Sequence, residues 1–332
     1  MEGKMLYSGK DLRKLIIPLI IEQILAIAVG MADTIMVSAA GEAAVSGVSL
    51  VDTVNILLIN VFSALATGGA VVSGHFLGKK KREDACKSAW QILLFATLLA
   101  FVISVIFITA HDPLLRLMFG KIEDDVMKAS KTYLIITTYS FVALAIYNSC
   151  AALFRAMNES KVTMWVSLLM NVINVVGNAI CIYGLHMGVA GVAIPTTISR
   201  YVAAVVIFLL MFQTKKEINL CGQITWKFNG SLIKKILYIA IPNGLENSMF
   251  QLGKILVMSA VATMGTSAIA ANAVTGTIAN WNNLPGFAIN LAIVSVVSVC
   301  VGAGRYDQAR YYTRRLCRDA MIGIGCLSII LY

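Results

Sequence analysis

Six charged side chains lie inside stretches that otherwise read as membrane-spanning: Glu22, Asp33, Asp52, Arg200, Glu246 and Lys254. A charge at the centre of an inserted helix costs about 2.5–3.5 kcal/mol, so each should face a partner or a wet cavity. Glu22 and Asp33 are eleven residues apart, which returns them to one helix face about 16 Å apart in depth. Two acids on one stripe, one in each half of the bilayer, would serve as stepping stones for a cation, and Asp33 is the better candidate. Glu246 shares its helix with Gln251 and Lys254. Lys254 lies about 80° round that helix from Glu246, so no ion pair within the helix is expected, and the Glu246 carboxyl group could carry a proton. Asp52, near the outer end of its span, reads as reaching water, and Arg200 reads as snorkelling or structurally paired.

Amides form a second set. Asn171, Asn174 and Asn178 recur at i, i+3 and i+7 on one helix face, where they would either bind helices together or line a cavity. Asn280, Asn282, Asn283 and Asn290 make a later span similarly polar. Other chemistry is missing from the pattern. GHFLGKKK at 74–81 lacks the spacing of a phosphate-binding loop, and no HExxH or GxSxG motif occurs. Three scattered histidines and seven cysteines without a CxxC pair imply no metal or disulfide framework. No catalytic residue, enzymatic activity or cofactor is expected.

The elements that must position these residues follow from composition. Of 332 residues, 58% are hydrophobic and 13% charged, with a mean hydropathy of +0.81, which no soluble domain reconciles with its surface. Apolar windows of spanning length fall near 15–38, 49–77, 88–110, 131–152, 162–184, 188–212, 233–263, 268–300 and 317–332. They are too long and too continuously apolar for barrel strands. The chain is therefore expected to be an all-α polytopic membrane protein with about nine helices present. Of the 27 Lys and Arg, 21 fall before the first span or in alternate loops on the same side, and Arg116, Lys121, Lys128 and Lys131 fall on the other. The positive-inside rule then puts the N-terminus in the cytoplasm. The charge of +10 is thereby topological, and no nucleic-acid partner is expected.

An internal repeat organises the spans. IPLIIEQ of the first span matches IPNGLEN of the seventh, pairing Pro18 with Pro242 and Glu22 with Glu246, both 224 residues apart. The same offset pairs Gly41 with Gly265, Ala44 with Ala268, Gly78 with Gly302, Glu83 with Asp307 and Ala85 with Ala309. An offset of six spans keeps both copies in one orientation, a parallel pseudo-two-fold repeat. Residues 1–212 are read as an N-terminal lobe of helices 1–6, 213–235 as a cytoplasmic linker, and 236–332 as an incomplete C-terminal lobe of helices 7–9. Two six-helix lobes would need twelve helices, so a C-terminally truncated transporter is expected.

IPLIIEQ with MADTIMV, the GKKKREDA loop, FRAMNESK, NVINVVGNAICIYG with GVAGVAIPTTISR, and IPNGLENSMFQLGK with AIAANAV together resemble the multidrug and toxic compound extrusion (MATE) family over essentially the whole chain. The resemblance implies two six-helix lobes around a central cavity and export of cationic or amphipathic drugs in exchange for H+ or Na+. It implies a coupling-ion site at Asp33, where Na+ could bind, with Asn174, Asn178 and Thr196 as polar partners, and a second acid at Glu246. Asn178 stands where many members carry an aspartate, which leaves Asp33 without a second acid nearby. Glu22, Asn171, Gln251, Lys254 and Asn282 are assigned to the substrate cavity or gate. The expected partners are small organic cations or drugs and membrane lipid, for a monomer in the cell membrane. The alternatives are a flippase for lipid-linked precursors, which a basic cavity would favour, and a nonfunctional fragment.

Overall fold

The computed structural model describes residues 5–119, 123–213, 216–222, 224–262 and 266–331. Lys121 and Lys215 among the loop charges, Gly265 of the repeat and Tyr332 at the chain end lie outside them. The described residues form eleven α-helices and no strand. They are α1 (Gly9–Ser38), α2 (Glu42–Gly78), α3 (Arg82–Thr109), α4 (His111–Phe119), α5 (Asp124–Thr138), α6 (Phe141–Ala156), α7 (Ser160–Ala179), α8 (Ala190–Leu210), α9 (Gly230–Ala262), α10 (Thr266–Gly302) and α11 (Tyr306–Leu331). A π turn at Ile180–Gly184 continues α7.

Over the described residues each of the nine apolar windows falls mainly on helix, and two differences have local causes. The fourth span is α5 and α6, bent by 50°. At the bend Thr137 and Thr138 donate to the carbonyls of Tyr133 and Leu134 at 2.8 and 2.6 Å, and Ser140 donates to that of Thr137 at 2.6 Å. Hydroxyls that compete for helix carbonyls are a recognised cause of bending. Among the described residues six helices are long and apolar enough to cross a membrane, or seven with this pair. α9 and α11 are not among them: Glu246, Gln251 and Lys254 interrupt α9, and Arg310, Arg314, Arg315 and Arg318 crowd the start of α11.

The 224-residue offset extends to the helix ends. α2 and α10 begin at Glu42 and Thr266 and stop at Gly78 and Gly302. The two helices cross where the repeat relates them. A Cβ on Gly78 would lie 2.1 Å from the carbonyl oxygen of Val299, and one on Gly302 would lie 2.1 Å from that of His75, Val299's own repeat mate. Gly74 packs against the side chain of its mate Ser298, one turn away. Such reciprocal contact is what a two-fold axis between two elements produces. Only residues without a Cβ permit this approach.

The other contacts between repeats lie toward the same end. Leu12, Leu15 and Leu19 of α1 share a core with Ala288, Ala292, Val296 and Cys300 of α10. A Cβ on Gly68 of α2 would lie 2.6 Å from the carbonyl oxygen of Ile236 on α9. This is the end that carries the basic loops. Farther along α9, Leu245, Met249 and Leu256 are exposed.

The segment before α9 is an ordered strap along α3. Arg82 donates to the carbonyls of Glu217 and Lys216, Trp90 Nε1 to that of Thr225 at 2.7 Å, and Gln91 both donates to the Lys227 carbonyl and accepts from the Asn229 N–H at 2.9 Å. Lys216 also pairs with Glu159. α9 starts at Gly230, inside the expected linker, because Asn229 Oδ1 accepts from the backbone N–H groups of Ser231 and Leu232 at 3.2 and 3.3 Å. This is the bonding of a helix N-cap. All seven cysteines are free.

Candidate ion site and inter-repeat cavity

α1 and α7 lie side by side, and the acid stripe of α1 meets the amide stripe of α7. Asp33 Oδ1 accepts from Asn178 Nδ2 at 2.8 Å, and Asn178 Nδ2 also lies 3.4 Å from Asn174 Oδ1. Asn174 Nδ2 donates to Thr196 Oγ1 on α8 at 2.9 Å, and that hydroxyl donates to the Val192 carbonyl at 2.8 Å. Asn174 and Asn178 are buried. One acceptor is left over: Asn178 Oδ1 is buried without a hydrogen-bond partner. A carboxylate beside amide and hydroxyl oxygens suits a hard monovalent cation or a proton. Among the described residues no cluster of three His, Cys, Asp or Glu side chains could hold a metal.

Two residues that sequence reasoning set aside join this group. Asp52 does not simply reach water: its Oδ1 accepts from Tyr133 Oη at 3.1 Å and from Asn55 Nδ2 at 3.3 Å. Arg200 does not snorkel. Its Nη1 donates to Ser140 Oγ at 2.8 Å, at the α5–α6 bend. Asp33, Asp52, Tyr133 and Arg200 all interact electrostatically, so Asp33 does have a second acid nearby, supplied by α2. The depth of Asp52 in its span was a usable signal, since it falls in the outer half with Asp33, while Arg200 sits at the middle of α8. Side-by-side placement of α2, α5 and α8 was not readable from spacing.

Glu22 faces the same helix as Asp33 but belongs to a different arrangement. Its Oε1 lies 3.4 Å from Arg155 Nη1 and its Oε2 accepts from Thr163 Oγ1 at 2.9 Å. Arg155, one of the 21 charges assigned to the basic side by reading it into the loop between the fourth and fifth spans, is within α6 with its side chain 13% exposed. It lines a cavity of ≈ 180 Å³ between the repeats, with Asn60, Ser63 and Thr67 of α2, Asn243 and Asn247 of α9, and Asn290 and Ser295 of α10.

The remaining candidates lie elsewhere. Asn171 is buried and its Nδ2 reaches Ser167 Oγ within α7 at 3.5 Å. Asn282 accepts from Ser328 of α11 at 3.0 Å. Glu246 is exposed, Gln251 is half-buried, and exposed Lys254 lies over the Phe250 ring at 4.9 Å. Among the described residues no hydrogen bond or ion pair joins these three to the Asp33 group.

This buried acid–amide network, set in a parallel helical repeat, can be compared with known proteins. The family model MatE matches residues 18–180 and 242–332, most of the chain. The chain belongs to the MatE family. An uncharacterized transporter YisQ of Bacillus subtilis is 28% identical over 88% of this chain, and a probable multidrug resistance protein NorM of Thermotoga maritima is 25% identical over 90%. The chain spans 64% of the length of each of these relatives. Among solved structures, an outward-facing multidrug resistance MATE family transporter of the MOP superfamily superposes with a TM-score of 0.87 at 21% identity. That match covers 95% of this chain and 69% of the other. The MATE fold and a multi-pass membrane protein follow. The two stretches that the family model matches begin at Pro18 and Pro242, 224 residues apart, and the Asp33 group lies within the first of them apart from Thr196 and Arg200.

Proposed function

We propose that this MATE chain works as a secondary active antiporter that exports amphipathic or cationic organic compounds in exchange for H+ or Na+. The observation that carries the reading is the Asp33 group, in which an acid on α1 is held by an amide network with one buried acceptor, Asn178 Oδ1, unpartnered. A cation or proton bound there neutralises a carboxylate, and drug in the cavity between repeats contacts both copies. Each ligand would favour a different arrangement of two lobes, residues 1–212 and 236–332, so each changes the affinity for the other. The basic loops support a cytoplasmic N-terminus in the cell membrane, and the naming of the Thermotoga maritima relative as a probable multidrug resistance protein supports drugs as substrates.

The test is ethidium efflux from vesicles containing the chain, under an imposed H+ or Na+ gradient. Efflux driven by one gradient and lost in Asp33→Asn supports the reading. Efflux indifferent to both gradients, or unchanged in Asp33→Asn, refutes it. Arg155 in the cavity favours a second reading, a flippase for an anionic lipid-linked precursor, which would move its substrate without either gradient.

A further inference from the structure

The cavity between the repeats has a definite chemical character. Among the described residues its one formally charged lining residue is Arg155, and its other polar lining comes from Asn60, Thr67, Asn243, Asn247 and Asn290 with two serines. Among the described residues the lining contains no carboxylate and no aromatic ring. A permanent organic cation is held by a counter-charge or by the face of a ring, and this lining offers neither. Arg155 carries five N–H donors, and among the described residues the structure gives one of them to Glu22, at 3.4 Å. Glu22 is occupied on its other oxygen by Thr163. The guanidinium is therefore positioned by its acid but not saturated, and a planar two-oxygen anion matches its remaining fork. Arg155, Asn60 and Thr67 belong to the first repeat and the other amides to the second, so a ligand here would bridge the two.

We propose that this cavity binds the oxyanion group, carboxylate or phosphate, of an amphipathic substrate, with Arg155 as counter-cation, and discriminates against quaternary ammonium groups. The proposal rests on the transporter reading and narrows its substrate class.

The test is fluorescence titration of the purified chain with two dansyl amphiphiles of equal alkyl length, one ending in a carboxylate and the other in trimethylammonium. The carboxylate probe should bind about ten-fold tighter or better. Arg155→Gln should remove that preference, whereas Glu22→Gln, which leaves Arg155 uncompensated, should strengthen carboxylate binding. A merely structural pair would lose affinity both ways. If Arg155→Gln fails to fold, Asn290→Asp leaves the pair intact and should weaken the carboxylate probe while strengthening the ammonium one. Displacement of the probe by inorganic phosphate would assign recognition to the oxyanion alone. A probe that resists displacement would show that the alkyl chain contributes, and both results keep the oxyanion. Equal or tighter binding of the ammonium probe overturns the proposal, as does full carboxylate affinity in a folded Arg155→Gln or Asn290→Asp. Gradient-driven efflux of the carboxylate probe from vesicles is read separately from ethidium efflux: ethidium efflux without carboxylate binding sinks this inference alone, and carboxylate binding without gradient-driven efflux of either compound sinks the antiport reading.

Discussion

Gly78 and Gly302 hold equivalent places in the two repeats, and each is pressed against the other's helix. A Cβ on Gly78 would come within 2.9 Å of the Gly302 carbonyl carbon and closer still to Val299 and Ala303. These neighbours are backbone atoms, which cannot step aside as a side chain could. Gly78→Ala and Gly302→Ala should each destabilise by about 1–3 kcal/mol, the usual cost of overpacking. Because one displacement of α2 from α10 relieves both clashes, the double variant should cost less than the two single ones together. Melting temperatures in detergent measure all three.

Asp33→Asn keeps the shape of the side chain and removes its charge. The protein should reach the membrane in normal amount, and gradient-driven efflux should fall at least about ten-fold, equivalent to about 1.4 kcal/mol of lost coupling. Asn178→Ala removes the amide that donates to Asp33 at 2.8 Å and should also cost about 1–3 kcal/mol in stability. Efflux assays and thermal melts on the same preparations separate the two effects.

Arg200 is the cation beside two acids. Arg200→Gln should lower stability by about 1–3 kcal/mol, because Ser140 loses a charged donor and the two acids lose a nearby positive charge in a poorly solvated place. Arg200→Gln with Asp52→Asn should recover part of that loss, and the double-mutant cycle reads the coupling directly.

Gln91 holds the strap ahead of α9 by both ends of its amide. Gln91→Ala should free residues 224–229 and speed proteolysis there several-fold, with little change in the melting of the helices, since exposed strands of chain open locally before the core does. An unchanged cleavage rate would show that Trp90 and Arg82 hold the strap without it.

At the opposite end, Asp112 of α4 meets Lys131 of α5 at 3.1 Å. The Lys131 ammonium holds the Asp112 carboxyl below its ordinary value of 3.8. A depressed folded-state value means the pair supports α4 above that pH and is lost as pH falls through the lower, folded value. Amide exchange in α4 should therefore stay slow at neutral pH and rise only in acid below the ordinary aspartate range. In Asp112→Asn that rise should disappear, and high salt should weaken the effect because both groups face water.

The MATE architecture was legible in the sequence where it depends on order along the chain. Apolar length, alternating loop charge and a constant offset of 224 residues are one-dimensional quantities, and they marked the helices, the repeat and its parallel sense. The facing of Asp33 toward α7 was legible in part, because Asn174 and Asn178 lie on one stripe by helical period alone. What spacing could not give was which helices stand side by side and at what register. That is decided by close packing among α2, α5, α6 and α8. Packing brings Asp52 and Arg200 to Asp33, turns Arg155 from a loop charge into the partner of Glu22, and sends Asn282 to α11. The glycines at 78 and 302 show the same division: the offset named them as a pair, and only the crossing of α2 on α10 gave the pair a physical reason to lack side chains.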